Sequence, residues 1–581
     1  MRIGSRGSPL ALIQAEIVRE ALADRGVPAT VIVITTAGDR RVPDTPWSEG
    51  AFVTAIEAAL LAGQVDIAVH SAKDLPTDED ARLEIAAFMP RASPSDVLVV
   101  RDGDPRPRSL DDLPSGARVG TDSPRRTAFL RSVRPDLRFH LLHGNVDTRL
   151  RRLDAGETDV LVLAEAGLSR LGRGDRIALR LDPDVVAPAP GQGALAVQVR
   201  ADATESRRLT GQLDDADTRR AVTAERALLA ATGGGCRAPI GALGRVDAGR
   251  LELLGGYARP DGSVRVTARH VGAAGHGGAS GGAASDGGGD ERLVQAVLAD
   301  VAAQAGAAAQ ALREPGVIVT RAGDQGPALA LALVDRGLAP LPVPAIEIQP
   351  VDPQVLATAL RDLSEFDWVV VTSANAVRAL VASARWAGID LRGRASGPRW
   401  AAVGAATRRE LATAGIEVAV QPARASGAAL ADALPIGPGA RVLLPRSDIA
   451  DPVLVEHLVG RGATVDAVVA YRTLEAPAGS VALLEAALAR DPVAVIVTSG
   501  STARGLLALA ERLDAAERVL ALPAIAIGQV TADEATALGY RVAEQASTQR
   551  PAGIADAAVR CILGGTTAMA AAGSATAGEY R

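Results

Sequence analysis

Lysine and asparagine are almost absent from this 581-residue chain, and cysteine and aromatic residues are scarce. Two cysteines cannot supply a disulfide framework, and they cannot build a zinc site from thiolates alone. No apolar run reaches the roughly 18 residues of a membrane span, and the N-terminus lacks the apolar region of a signal peptide. The formal net charge of −6 argues against a general nucleic-acid binder. We expect a cytoplasmic monomer that binds no metal, no membrane and no nucleic acid.

Only one of the 62 basic residues is a lysine, Lys73. Chance survival in an Arg-rich genome is one explanation. Arg is planar and permanently charged, however, whereas Lys is a compact charge on a flexible stem. Because Lys73 lies in the polar segment His70–Pro76 at the end of a predicted strand, we favour a functional role for it. Asp74 in the same segment is a candidate acid, base or cation-stabilising group.

Strands alternate with helices over the first 210 or so residues, which predicts an α/β fold with mostly parallel pairing. Ser8 is a predicted helix N-cap, with Pro9 at the first helical position. The Gly-rich tract 271–290 is predicted to be a loop inside a small α+β domain, because helical spacing resumes after it. From Val317 the βα alternation restarts, and five strand ends carry small or hydroxyl residues before a helix. That repetition favours a ligand cleft.

Two further segments carry candidate binding or reactive residues, and a third only formally fits a known motif. Arg125 and Arg126 follow a predicted strand end, where guanidinium forks suit carboxylates or phosphates. Cys236 lies on a glycine-flanked loop after a predicted helix, which indicates an exposed, reactive thiol. The segment Gly191–Ala196 formally fits a dinucleotide fingerprint. We reject that interpretation because prolines, and no strand, precede the segment.

Six segments occur in a specific order: SRGSPLAL, DIAVHSAKDLPT, GTDSPRRTAFL, HGNVDTRL, PAPGQGALAV and GGGCRAPIG. Together they resemble hydroxymethylbilane synthase (porphobilinogen deaminase) over residues 1 to about 313. Residues 317–563 are similar to uroporphyrinogen-III synthase through VTSANAV, AVGAAT, VVAYRT, IVTSGST and AIGQVTA. The chain therefore resembles a fusion of two consecutive enzymes of tetrapyrrole (porphyrin and heme) biosynthesis.

The resemblance implies an α/β fold with two-lobed periplasmic-binding-like domains, a small α+β domain, and then a two-lobed α/β synthase module with parallel sheets. The implied boundaries are 1–92 with 189–206 for the first domain, 93–188 for the second, 212–313 for the third and cofactor-carrying domain, 315–349 with 473–563 for lobe 1 of the synthase module, 352–470 for its lobe 2, and 564–581 for a disordered tail.

The resemblance also implies roles for individual residues. Cys236 would carry a dipyrromethane cofactor through a thioether. Asp74 and Lys73 are the implied catalytic residues, with Asp74 assisting ammonia loss and stabilising the azafulvene cation that results. The residues implied to bind the cofactor are Arg6, Ser8, Lys73, Asp74, Ser123, Arg125, Arg126 and Asn145. Those implied to bind the substrate are Arg6, Ser71, Thr121, His143, Arg149, Arg176 and Gln192. In the second half the implied contacts are Ser373, Thr407, Ser499 and Thr531, with Tyr471 as the catalytic residue.

The activity implied is the condensation of four porphobilinogen molecules to hydroxymethylbilane, followed by its cyclisation to uroporphyrinogen III. Two departures from the first family are visible. The family usually has Arg at the position of His143, so we expect substrate binding there to depend on pH. It also usually has a Gly-Lys-Gly-Leu-Phe loop where this chain has the shorter, more acidic segment Trp47–Phe52.

Two other interpretations stay open at this point. One keeps the first enzyme active and makes the second half a degenerate scaffold. The other is a non-enzymatic two-lobed ligand-binding protein, which would need neither Cys236 nor Asp74.

Overall fold

The structure of the chain is a computed structural model that describes residues 1–34, 53–77, 80–232, 238–272, 287–321, 326–391, 397–424 and 426–562. Cys236, the segment Trp47–Phe52, most of the Gly-rich tract and the predicted tail lie outside the described residues. Among the described residues, no helix is long and apolar enough to cross a membrane.

The first 210 residues form the strands and helices of two lobes. In chain order these are β1 (Arg2–Ser5), α1 (Pro9–Ala23), β2 (Thr30–Val33), α2 (Thr54–Leu61), β3 (Ile67–Ser71), β4 (Leu83–Phe88), β5 (Asp96–Val100), β6 (Arg118–Gly120), α3 (Pro124–Val133), β7 (Arg138–His140), α4 (Val146–Asp154), β8 (Val160–Ala164), α5 (Glu165–Arg170), β9 (Leu179–Arg180), β10 (Leu195–Arg200) and α6 (Thr204–Thr210). The first helix begins as predicted, because Ser8 accepts the Ala11 N–H at 3.3 Å and Pro9 follows it.

These strands form two five-stranded sheets, ordered β2-β1-β3-β10-β4 and β7-β6-β8-β5-β9. The expectation of mostly parallel pairing is wrong for half of the pairs. β10 runs antiparallel to β3 and β4, and β5 runs antiparallel to β8 and β9. Both exceptions are the strands at which the chain crosses from one lobe to the other, so they join their sheets in the opposite sense.

The third domain is a three-stranded sheet covered by two long helices. Its elements are α7 (Ala216–Ala231), β11 (Ile240–Asp247), β12 (Arg250–Ala258), β13 (Arg265–Val271) and α8 (Gly287–Ala311). The sheet is antiparallel, since β12 pairs antiparallel with both neighbours. The predicted loop 271–290 is too long at both ends, because β13 runs through Val271 and α8 starts at Gly287.

The second half contains two further α/β lobes. Its elements are β14 (Gly316–Val319), α9 (Gly326–Val334), β15 (Ala339–Pro342), β16 (Ile346–Pro350), α10 (Pro353–Arg361), β17 (Trp368–Val371), α11 (Ala374–Ala387), β18 (Arg399–Ala402), α12 (Ala405–Thr413), α13 (Gly427–Ala433), β19 (Arg441–Ser447), α14 (Val453–Gly460), β20 (Thr464–Glu475), α15 (Ser480–Leu488), β21 (Ala494–Val497), α16 (Gly500–Glu511), α17 (Ala516–Ala521), β22 (Pro523–Ala526), α18 (Gln529–Ala537), β23 (Arg541–Gln545) and a helix over 551–562.

Lobe 1 holds the parallel sheet β15-β14-β21-β22-β23, and lobe 2 holds the sheet β16-β20-β19-β17-β18. The strand β16 pairs antiparallel with β20, so it belongs to lobe 2. The chain therefore passes from the lobe 1 sheet to the lobe 2 sheet before residue 346. The boundary between the lobes that was expected from sequence lay between residues 349 and 352. The segment IEIQP alternates apolar and polar residues, which predicts a strand, but this local pattern does not specify which of the two sheets the strand joins.

A buried ion pair joins the third domain to the crossovers between the first two. The Arg91 Nη1 atom lies 2.5 Å from Glu225 Oε1, and the Glu225 side chain is fully buried. The same carboxylate accepts the N–H groups of Gly191 and Gly244, each at 2.6 Å. Arg91 also donates to the Gln192 carbonyl. One acidic side chain on α7 thus fixes both the crossover and the third-domain sheet.

We expect Glu225→Gln to lower the thermal midpoint of the first half by the order of 10 °C. Loss of one partner leaves a buried guanidinium uncompensated, which costs about 3–5 kcal/mol in comparable pairs. Glu205→Gln is the matched control, because Glu205 pairs with Arg208 on the exposed surface. Differential scanning calorimetry measures both, and equal midpoints for the two variants would contradict the assigned role of Glu225.

Candidate active site

A cleft of about 360 Å³ opens between the first two lobes. Side chains from both sheets line it, and they include most of the residues expected from sequence. The predicted residues that the structure brings together there are Arg6, Ser8, Ser71, Lys73, Asp74, Ser123, Arg125, Arg126, Asn145, Arg149 and Gln192. Thr121, His143 and Arg176 are not among the lining residues.

Three of the helices that begin at this cleft have polar residues at their N-caps, which explains why hydroxyl and amide residues cluster here. Ser8 caps α1, Ser123 caps α3 by accepting the Arg126 N–H at 3.4 Å, and Asn145 stands at the N-cap of α4. Helix N-termini present unpaired N–H groups and a partial positive charge. The cleft is therefore suited to anions even before its charged side chains are counted.

The buried carboxylate of Asp96 organises the cationic wall of the cleft. Asp96 accepts hydrogen bonds from Arg125 Nη2 and Arg126 Nη2, each at 2.7 Å. It also accepts one from Gln192 Nε2 at 3.0 Å. Burial alone would raise the Asp96 pKa, but the two guanidinium groups outweigh it and hold the pKa far below its usual range. The two arginines thus share one internal counter-ion instead of both facing the cleft unpaired.

Lys73 and Asp74 stand on a short 3-10 turn, Ala72–Asp74, directly after the buried strand β3. The Lys73 ammonium donates to Gln192 Oε1 at 3.1 Å, which links it to Asp96. Burial and the neighbouring Arg126 lower the Lys73 pKa to about 8. The Asp74 side chain reaches the open cleft while both lobes surround it. This enclosure raises its pKa, although Lys73 and Arg6 act in the opposite direction.

His143 lies behind the cleft wall and not in it. It is 4% exposed, and its Nδ1 atom lies 3.4 Å from Asp122 Oδ2. Asp122 does line the cleft, and it accepts the Arg149 Nη2 hydrogen bond at 2.8 Å. Burial would raise the Asp122 pKa, but Arg149 and Arg126 outweigh it and lower the pKa. In this arrangement His143 contacts an acidic residue, so a direct contact between His143 and a substrate carboxylate is not supported.

Arg176 also lies away from the cleft. Its guanidinium binds Asp154 at 2.7 Å and the Val100 carbonyl at 3.2 Å, and the residue is 7% exposed. Arg170, six residues earlier at the end of α5, lines the cleft instead and donates to the Gly193 carbonyl at 2.7 Å. Burial lowers the Arg170 pKa. Thr121 is buried, where its hydroxyl accepts the Ser123 N–H at 3.2 Å.

Four residues of the site were not predicted from the sequence: Gln14, Asp96, Asp122 and Arg170. Gln14 donates to the Ser71 hydroxyl at 3.1 Å and lines the cleft. Asp96 had a usable signal, because an acidic residue opens an otherwise fully apolar strand, DVLVV. An acid there would need a buried partner, and the Arg125–Arg126 pair was the available one. Asp122 and Arg170 had no comparable signal.

The candidate site of the second half lies at the carboxyl ends of lobe 2 strands. The Tyr471 hydroxyl on β20 lies 3.1 Å from the Ser373 Oγ atom, and Ser373 also caps α11. Thr407 is buried in the first turn of α12, beside the same sheet edge. Ser499 caps α16 and Thr531 is buried in α18, so both belong to lobe 1. Tyr471 and Ser373 are the two predicted residues that the structure joins directly.

A two-lobed α/β cleft with cations converging on one acidic turn is typical of a binding site for small carboxylated molecules. No cluster of three metal-ligating side chains occurs among the described residues. Residues 1–208 match the family model described as porphobilinogen deaminase, dipyromethane cofactor binding domain. Residues 219–278 match the porphobilinogen deaminase C-terminal domain, and residues 327–556 match uroporphyrinogen-III synthase HemD.

Curated relatives agree with the deaminase matches. The chain is 47% identical over 285 residues to a porphobilinogen deaminase of Mycobacterium ulcerans, which covers 47% of this chain and 90% of the relative. It is 48% identical over 285 residues to one of Mycobacterium avium, with coverage of 47% and 89%. A solved uroporphyrinogen III synthase of Thermus thermophilus is 24% identical and aligns with 43% of this chain and 99% of its own, at a TM-score of 0.36. The chain belongs to the porphobilinogen deaminase family, and a uroporphyrinogen-III synthase domain follows in the same chain.

We expect the side chain of Lys73 to titrate near pH 8, well below the usual lysine value of about 10.4. Because Lys73 is the only lysine of the chain, lysine labelled at Cε gives a single side-chain resonance whose midpoint can be measured by NMR. Above this pH the cleft loses a positive charge, so anion affinity should fall. The same sample unfolded in urea supplies the unperturbed reference, and a folded midpoint equal to that reference would refute the interpretation.

Proposed function

We propose that the chain catalyses two successive reactions of porphyrin biosynthesis. The first half condenses four porphobilinogen molecules to hydroxymethylbilane and releases ammonia. The second half cyclises this linear product to uroporphyrinogen III. The observation that carries the first assignment is the set of cations, Arg6, Lys73 and Arg149, around Asp74 in a chain that belongs to the deaminase family. Arg170 lines the same cleft.

Substrate binding follows from the charge of the cleft. Porphobilinogen carries an acetate and a propionate, and guanidinium groups bind carboxylates in two-pronged geometry. Arg149 is already oriented, because its Nε donates to the Gly144 carbonyl and one Nη donates to Asp122. Its remaining N–H groups are the ones available to a ligand. Arg170 replaces Arg176 as the proposed fourth carboxylate-binding group, because it lines the cleft.

Asp74 is the proposed group for ammonia loss. When an amino group leaves as ammonia, a positive charge develops on the pyrrole that remains, and a nearby carboxylate stabilises it. The raised pKa of Asp74 also makes it a better proton donor near neutral pH than an ordinary carboxylate. Lys73, one residue away, supplies a cation whose own pKa is lowered. Proton transfer and charge stabilisation are thus concentrated on two adjacent side chains.

The proposed cofactor is a dipyrromethane attached covalently to Cys236. The match of residues 1–208 to a dipyromethane cofactor binding domain supports the cofactor itself. The cleft also fits such a group, since it offers cations and three helix N-termini for the four carboxylates. Arg6, Ser8, Ser123 and Asn145 would hold those carboxylates, and the bound group would supply the growing end to which new pyrroles are joined.

The catalytic residue proposed for the second reaction lies in lobe 2 of the synthase module. The Tyr471 hydroxyl and the Ser373 hydroxyl form a polar pair at the edge of the lobe 2 sheet. We propose that Tyr471 contacts the leaving hydroxyl of the bilane, with Ser373 orienting the phenol. Thr407, Ser499 and Thr531 remain proposed contacts with the carboxylates of the bilane.

Asp74→Asn should reduce ammonia release from porphobilinogen by about 100-fold or more, because the amide cannot carry the stabilising charge. The fold should persist, since the amide is nearly isosteric. Asp80→Asn is the matched control, because Asp80 pairs with Arg82 near the surface. Intact mass should show the same adduct on Cys236 in both variants. Near-normal ammonia release by Asp74→Asn would remove Asp74 from catalysis and would favour a ligand-binding role for the cleft.

Tyr471→Phe in the full-length chain should lower the rate of type III isomer formation by about 10-fold while porphobilinogen consumption stays unchanged. The type I isomer, which forms spontaneously, should increase in proportion. Tyr540→Phe serves as the control, because the Tyr540 hydroxyl donates to the Ala503 carbonyl inside lobe 1 and not to the Ser373 hydroxyl in lobe 2. Chromatographic separation of the isomers measures the ratio. If the wild-type chain itself yields only type I, the second half is a scaffold and not an enzyme.

A further inference from the structure

The helix α9 has two buried faces, which is unusual for a surface helix of an α/β lobe. Its sequence, GPALALALV, is apolar all round. Leu329 and Leu333 pack into the core of lobe 1. Ala330, Leu331 and Val334 instead belong to the apolar cluster of the third domain. A helix that is apolar on every side must be covered on every side, and here two different modules cover it.

The helix α8 supplies the opposing surface. Leu293, Val297 and Val301 pack on the third-domain sheet, whereas Ala305 and Ala309 near the C-terminal end are fully buried in the same cluster as α9. Gly306 lies between these two alanines. A Cβ at this glycine would approach the Pro340 ring of β15 to 3.3 Å. Small residues on α8 therefore let lobe 1 approach closely.

Polar contacts surround this apolar contact. Gln310 Nε2 donates to the Pro340 carbonyl at 3.1 Å, and Arg490 of lobe 1 donates to the Gln310 carbonyl at 3.0 Å. On the other side, Arg259 of the third domain pairs with Glu314 and approaches Gly337. An apolar centre with a hydrogen-bonded rim is the usual anatomy of a specific interface.

The connection between the third domain and lobe 1, residues Glu314–Gly316, is short and fully hydrogen-bonded. The Glu314 N–H donates to the Ala309 carbonyl at 3.3 Å, which extends the end of α8. The Pro315 carbonyl accepts the Ala339 N–H at 2.9 Å, and β14 begins at the next residue, Gly316. Every residue of the junction Glu314–Gly316 is thus hydrogen-bonded to one module or the other.

We propose that the C-terminal half of α8 is a permanent docking surface for lobe 1, so that the synthase module is mounted rigidly on the third domain and is not tethered by a linker. The position of lobe 1 relative to the third domain is then fixed by the fold. A flexible tether would raise the effective concentration of one enzyme around the other through diffusion of the linker. A rigid mount instead holds lobe 1 in one position beside the third domain. The consequence for transfer rests on the proposed function, but the docking does not.

The variant Gly306→Arg tests the proposal in the full-length chain. Its side chain would point at Pro340 and separate the modules, since among the described residues a Cβ at Gly306 meets only the Pro340 ring within 4 Å. Ala307→Arg is the matched control, because it places the same side chain one residue along on the exposed face of α8. Small-angle X-ray scattering should give the wild type and Ala307→Arg one compact particle. Gly306→Arg should give a larger radius of gyration and faster hydrogen exchange in α9.

Porphobilinogen consumption serves as the readout of the folded first half in all three proteins. If Gly306→Arg loses this activity, Leu331→Arg replaces it, because Leu331 approaches the same interface from lobe 1. Equal radii and equal exchange for the interface and control variants would overturn the proposal, as would a wild-type chain that scatters as two independently moving bodies. If the interface variant separates the modules while both activities stay intact, the docking surface is confirmed and neither reaction depends on it.

Discussion

The buried carboxylate of Asp96 is the constraint on which the candidate deaminase site depends. Asp96 opens a strand of the second domain, Arg125 and Arg126 begin a helix of the same domain, and Gln192 lies on the crossover back to the first. Without this acid, two guanidinium groups would be buried at one point with no counter-ion, which is strongly unfavourable. With it, the pair adds a single net charge to the cleft wall. The Gln192 amide binds both Asp96 and Lys73, so it couples the position of the cationic wall to Lys73 on the opposite lobe.

A second buried acid plays a similar part on the other side of the crossover. Glu225 binds Arg91 and two backbone N–H groups. The third domain is therefore attached at the segments where the chain crosses between the first two lobes. The crossover is crowded here. Gly193 has a φ of +90°, and a Cβ on it would lie 2.4 Å from the Ala92 carbonyl oxygen. The glycines of the segment Gly191–Ala196 thus serve a close backbone approach, which agrees with the rejection of a nucleotide fingerprint.

Local patterns in the sequence predicted the elements, the caps and most of the cleft. Ser8, Ser123, Ser373 and Ser499 could be predicted as caps because capping depends on residues three positions apart. The burial of His143 and the positions of Arg170 and Arg176 could not be predicted in this way. Which of two arginines six residues apart reaches the cleft is decided by the turn between α5 and β9, and no local signal encodes it. The antiparallel pairing of β5 and β10 likewise could not be predicted locally, because it depends on how the chain crosses between the lobes.

Asp74 and Lys73 show how the enclosing lobes bring two opposite groups toward the same protonation range. Enclosure disfavours charge on both, so it raises the pKa of the acid and lowers that of the ammonium. Their mutual attraction opposes both shifts, yet it does not cancel either. A site that must release ammonia needs a proton donor before the C–N bond breaks and a negative charge after it. An acid with a raised pKa beside a cation can meet both needs, because the departing proton turns the donor into the stabilising carboxylate.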